Sequence, residues 1–179
     1  MVRFAHAVLT GLLGAALLHL VIVLSLPFFT GRDAYSRVLA QGVLNRFHPL
    51  ENGGGLAPPD PYLSAAVCGF DLSAAPVRLT AAGQPAFWSL AVFNSAANEA
   101  FSMNDRTSIE GRLDAVIATP AQAAWLRKSD PDFLEQTVLI EMERNEGYVV
   151  LRAMAPQASG RAEAQSFLRN AGCTPFNPR

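Results

Sequence analysis

The most polar run in an otherwise apolar stretch of the chain is Ser102, Asn104, Asp105, Arg106 and Thr107. An Asn-Asp-Arg group at a strand end can hold a carboxylate or a sugar. The guanidinium offers a planar fork of donors, and the aspartate accepts. The same residue types also close turns through their own backbone, with Arg106 free to pair with Asp105 or Glu110. Arg152 joins the set through a hairpin expected from two strand-like runs, Gln136–Arg144 and Tyr148–Met154, flanking Asn145-Glu146-Gly147. If Arg144 faces Tyr148, then Ile140 faces Arg152, and a cation stands on a largely apolar face. A slip of one residue would set Arg152 beside the glutamates instead. Asn104, Asp105, Arg106 and Arg152 are therefore the candidate ligand-binding residues.

Other chemistries find less support. Beyond the first apolar segment the only histidine is His48, which lies in a proline- and glycine-rich stretch, so a nucleophilic triad would need that stretch to fold over the domain. Two cysteines far apart make no zinc site, and no glycine-rich phosphate loop opens a helix, since Gly53-Gly54-Gly55 sits among prolines. Glu141 and Glu143 share one face of a strand. With Asp105 they are the elements of an alternative reading, a carboxylate-dependent enzyme acting on a small polar or sugar-like substrate. On an exposed strand such a pair is usually a solvated face. Phe87, Trp88 and Phe93 are core before they are a ligand platform. No catalytic residue, metal or cofactor is assigned.

The elements that must position these residues begin with the N-terminal segment. From Phe4 to Gly31 no Asp, Glu, Lys or Arg occurs, longer than the roughly 20 residues that cross a bilayer. A helix apolar on every side belongs in a large core or in lipid, and the rest of this 179-residue chain is too small to wrap it. A cleaved signal peptide is the rival. It would have an apolar stretch of about 7–15 residues and small residues at its cleavage site, where this chain has Leu26-Pro27-Phe28-Phe29. The expectation is a retained single-pass anchor in the inner (cytoplasmic) membrane, with the domain facing the periplasm. Arg3 before the span and Arg32, Arg37 and Arg46 after it leave the charge rule close to a tie on orientation. Gly11 and Ala15 form a small-xxx-small pair that would suit a homodimer. A third reading is a structural partner in a membrane complex.

Cys68 and Cys173, one near each end of the domain, can close a long loop in an oxidising compartment, or Cys68 can be an ordinary buried thiol. Net charge is −1, with no basic stripe to attract nucleic acid. The partners expected are the lipid bilayer and a small polar ligand or a protein.

Asp33 to Phe47 has the spacing of an amphipathic helix, and His48 to Pro61 reads as a loop. Short strands follow at Leu63–Asp71, Pro76–Thr80, Ala86–Asn94, Phe101–Asn104 and Arg112–Ala118. Ala86–Asn94 is apolar on both faces, as a central strand would be. Thr119-Pro120-Ala121-Gln122 is a capping box with proline at the first helical position. Ser159–Asn170 reads as a closing helix that Gly172 stops. Three parts follow: a transmembrane anchor over 1–31, a helix and Gly/Pro-rich linker over 32–60, and an exported domain over 61–179. The fold class is α+β, a mostly antiparallel, sandwich-like domain with flanking helices, preceded by one transmembrane helix.

Several short motifs carry a resemblance: Pro61-Tyr62-Leu63, Cys68-Gly69-Phe70-Asp71-Leu72-Ser73, Pro85-Ala86-Phe87-Trp88-Ser89-Leu90, Asn104-Asp105-Arg106-Thr107 and Leu113–Gln122. In order and spacing they resemble the short bacterial membrane proteins of the domain-of-unknown-function family twelve-fifty-four. The resemblance implies a β-sandwich-like fold, as in that family's larger two-part members. It implies no activity and transfers no catalytic residue.

Overall fold

A computed structural model describes residues 1–50 and 60–177. The linker over 51–59, with its glycine and proline clusters, lies outside the described residues. Helix α1 (Val2–Leu39) comes first, and its segment Val2–Leu26 is long and apolar enough to cross a membrane, with none of it buried against the rest of the chain. Its last turns lie on the domain.

The domain is two sheets face to face. Strands β1 (His48–Pro49), β2 (Leu63–Asp71), β4 (Phe87–Asn94), β5 (Glu99–Asn104) and β8 (Glu146–Met154) form the first, in the order β1-β2-β8-β4-β5, antiparallel throughout. The second contains β3 (Val77–Ala81), β6 (Leu113–Ala118), β7 (Val138–Glu141) and β9 (Gly172–Pro175), in the order β7-β6-β3-β9. Within it β6 and β7 are parallel and the other pairs antiparallel. The parallel pair needs a crossover, supplied by α2 (Pro120–Ser129) and α3 (Pro131–Leu134). This is the expected α+β sandwich with flanking helices.

Alternation within the strands builds the core. Phe70, Leu90, Val92, Val149 and Leu151 from the first sheet meet Val77, Leu79, Ala115, Ile117 and Ile140 from the second. Helix α4 (Arg161–Arg169) closes one side of this core with Ala164, Phe167 and Leu168, and the Phe167 ring lies 6.0 Å from that of Trp88. The outer face of the second sheet is covered by α2, where Ala123 and Leu126 pack on Val116 and Ala118. Part of the outer face of the first sheet is covered by the end of α1. There Ala34, Tyr35 and Val38 pack on Val67 and Tyr148, and Tyr148 also stacks on Phe93. Both faces of β4 and β8 are thus partly dry, which explains the apolar run at Ala86–Asn94.

Several expectations need correction. The helix expected over Asp33–Phe47 ends at Leu39, because the chain then folds back onto the sheet. Asn45 N donates to Gly69 O at 2.8 Å, and a Cβ added to Gly69 would lie 2.9 Å from a Leu39 methyl and 3.1 Å from one of Leu44. His48-Pro49, expected in a loop, pairs with β2.

The hairpin around Asn145-Glu146-Gly147 does not form. β7 belongs to the second sheet and β8 to the first, so the chain changes sheets over Met142–Asn145. Met142 is buried and its N–H continues the parallel ladder to Ala118 O at 2.9 Å, which carries β7 away from β8. Ile140 therefore does not face Arg152; Ala65 and Ser89 do. Gly172 does more than stop α4, since it opens β9, a strand not anticipated.

Candidate binding site

Asn104 and Asp105 are neighbours in sequence, yet strand alternation sends their side chains to opposite faces. Asn104 lies opposite Ser89, which in turn lies opposite Arg152. Asn104 and Arg152 therefore share the outer face of the first sheet, about 10 Å apart at their Cα atoms by strand spacing. Arg152 is solvent-exposed there. Asn104 is engaged in its own turn: its Oδ1 accepts from Arg106 N at 3.0 Å and Thr107 N at 3.1 Å, while its N–H donates to Thr107 Oγ1 at 2.9 Å. This is the turn chemistry weighed against a ligand site. Arg106 projects from that turn into solvent, and Glu110 pairs with Arg112 instead of with it.

Asp105 has different surroundings. Its N–H donates to Trp88 O at 3.2 Å, and its carbonyl accepts from Ser108 Oγ at 2.9 Å. Asp105 lines a cavity of about 290 Å³, near the lower end of small-molecule pockets. One wall is the β3–β4 loop, Ala82, Gly83, Gln84 and Pro85. The other walls are Trp88, Asp105 and the turn Glu110, Gly111 and Arg112. Asp105 Oδ1 is buried and has no hydrogen-bond partner among the described residues.

The walls are held by specific local structure. Trp88, the second residue of β4, has its ring in the core, and its indole N–H donates to Gly111 O at 3.1 Å, tying the β5–β6 turn to the first sheet. Glu110 and Gly111 both adopt left-handed backbone, φ 54° and 71°, which reverses the chain before Arg112 enters β6. The glycine suits that geometry and the glutamate is strained by it. Opposite, Gly83 sits on Phe167, and a Cβ there would come within 3.3 Å of the ring. The Glu110–Arg112 pair is mostly exposed and contributes little to stability.

Of the four residues expected to bind, the structure thus sets Asp105 alone on the cavity. Asn104 and Arg152 lie on the other face, and Arg106 on neither. Gln84, Trp88, Glu110 and Arg112 were not among the expected ligand residues, because they come from three separate segments that only folding unites. Glu141 is ion-paired to Arg127 on the second sheet, and neither it nor Glu143 lines the cavity. Among the described residues there is no cluster of three or more metal-ligating side chains.

Comparison with known proteins bears on the fold. No protein-family model matches the chain, and no curated protein matches it in sequence. The VPA0106 protein from Vibrio parahaemolyticus superposes with a TM-score of 0.57 at 14% identity, covering 81% of this chain and 35% of its own. An uncharacterised protein from Burkholderia cenocepacia superposes with a TM-score of 0.51 at 10% identity, covering 84% of this chain and 43% of its own. The chain therefore spans well under half the length of either solved structure. At such identities the likeness is one of fold alone.

Proposed function

We propose that this chain is a membrane-anchored extracytoplasmic binding module, held at the inner membrane by α1 and displaying its sandwich domain in the periplasm. The observation that carries the reading is the mismatch between α1 and the domain. Val2–Leu26 has a mean hydropathy of 2.5 and no burial, while the two sheets complete their core without it. Such a surface is stable in lipid and costly in water. The Cys68–Cys173 disulfide supports export, since such bonds persist in oxidising compartments. The Asp105 cavity supports binding as the task. We further propose kinship with the domain-of-unknown-function family twelve-fifty-four, on the motifs quoted above.

The test is topological. In a Gram-negative host, the full-length chain with its start intact should resist carbonate extraction, and alkaline phosphatase fused after Phe176 should be active. Full-length protein in the soluble fraction without detergent, or an inactive fusion on a stable chain, would overturn the reading.

A further inference from the structure

We propose that the cavity between the β3–β4 loop and the β5–β6 turn takes a small organic cation, a primary ammonium on a short aliphatic stem, with Asp105 as its acceptor. The proposal deepens the binding-module reading and rests on it.

Three observations converge. First, Asp105 lines the cavity, and its Oδ1 is buried with no hydrogen-bond partner among the described residues. Oδ1 itself is shut off from solvent, so the charge of the carboxylate goes uncompensated within the protein, and a cation in the cavity is drawn to it. Second, the charged lining is Asp105, Glu110 and Arg112, two carboxylates and one guanidinium. Arg112 is already paired with Glu110, so the uncompensated charge at the cavity is the negative one of Asp105. An anion would meet that charge, and a neutral molecule would leave it uncompensated; an ammonium group neutralises it with a charge-assisted hydrogen bond. Third, the remaining lining is the β3–β4 loop over a buried floor of Pro85 and Trp88, where the small, exposed Ala82 leaves room for a short alkyl stem and Gln84 is a further polar group. Trp88 is almost wholly buried, so the indole is a floor and not a stacking face. The cavity volume, about 290 Å³, limits the ligand to a few heavy atoms or to the end of a longer molecule.

The two tryptophans provide the experiment. The Trp88 indole N–H is hydrogen-bonded at the cavity, whereas Trp125 is exposed on α2 and reports everything else. The full-length chain in uncharged maltoside micelles is titrated with n-butylammonium chloride, n-butanol and sodium butyrate at matched ionic strength, and both indole N–H resonances are followed. The expected result is a saturable shift of the Trp88 signal with butylammonium. Its Kd should be about 1–10 mM, as a ligand of about five heavy atoms allows. Butanol and butyrate should not saturate it, and Trp125 should stay still. Asp105→Asn should weaken binding at least tenfold, and Arg106→Ala should leave it unchanged.

Butanol matching butylammonium, no saturable response to the cation, or undiminished binding by Asp105→Asn would each overturn the assignment. If Asp105→Asn does not fold, Ala82→Phe, an exposed loop change that fills the cavity mouth, replaces it: binding that persists overturns the proposal, and binding that disappears supports it. Failure here leaves the anchored topology standing, because phosphatase activity and extraction read that separately.

Discussion

Cys68 on β2 and Cys173 on β9 are joined by a disulfide between two sheets that share no strand. Their Cα atoms are 6.7 Å apart and 105 residues separate them in sequence. Both sulfurs are buried in the core, where Phe70, Leu79 and Val149 also meet. Closing so long a loop removes much freedom from the unfolded chain, by the chain-entropy account of such bonds.

The Cys68→Ala/Cys173→Ala double variant is therefore expected to lose about 2–4 kcal/mol. Urea unfolding of the full chain in detergent, followed by the fluorescence of buried Trp88, measures it. Dithiothreitol should lower the wild-type midpoint towards that of the variant and leave the variant's own midpoint alone. Equal midpoints without reductant would show that the bond adds nothing.

Gly147 is expected to be among the least replaceable positions. It lies within β8, and a Cβ there would sit 2.3 Å from Phe93 O and 2.6 Å from the Phe70 ring. Neither neighbour can yield, one being backbone and the other fully buried. Gly147→Ala should cost about 1–3 kcal/mol or more, the range of overpacked cores. Gly160→Ala, whose added Cβ meets nothing closer than 4.0 Å, serves as the control. Comparable urea midpoints for the two variants would refute the steric argument.

What the sequence could and could not convey follows from what periodicity records. Short apolar runs bounded by turn residues mark Leu63–Asp71 and Arg112–Ala118 as strands, and strands stand at Leu63–Asp71 and Leu113–Ala118. Alternation does not say which sheet a strand joins. Val138–Glu141 and Glu146–Met154 therefore resembled a hairpin while belonging to opposite sheets. At the site, residue type singled out Asp105, but Asn104 and Arg106 were grouped with it because they adjoin it in sequence. A strand end separates adjacent side chains, and the true neighbours of Asp105 come from the loops at 82–85 and 110–112.

The junction between α1 and the domain should weaken in alkali. Tyr35 and Tyr148, with ring centroids 6.4 Å apart, both have hydroxyl pKa values raised above 10.0, chiefly because burial disfavours the phenolate, and at Tyr35 also because of Glu146 and Asp71. The favoured form is the protonated one. The contribution is thus complete below the unfolded value of 10.0 and is lost as pH rises through the raised folded values. Tyr148→Phe should unfold in urea much as wild type does at pH 8 and keep more of its stability at pH 11. An equally steep alkaline loss in the variant would remove Tyr148 from the explanation.

The start of α2 offers a finer test, because two hydrogen bonds there do different jobs. Gln122 N donates to Thr119 Oγ1 at 3.3 Å and Thr119 N donates to Gln122 Oε1 at 2.9 Å, the reciprocal box expected of Thr119-Pro120-Ala121-Gln122. The Gln122 amide also donates to Leu72 O at 2.8 Å, just past β2, and so ties the crossover helix of the second sheet to a strand of the first. Thr119→Ala removes only the cap and should cost about 1 kcal/mol. Gln122→Ala removes its half of the box together with the tether, leaving Leu72 O without that donor, and should cost about 1 kcal/mol more. Gln122→Glu keeps an acceptor for Thr119 N but cannot donate to Leu72 O when ionised, so it should fall between them at neutral pH. Urea midpoints for the three variants decide the matter: if Thr119→Ala is the most damaging, the link between the sheets does not act through Gln122.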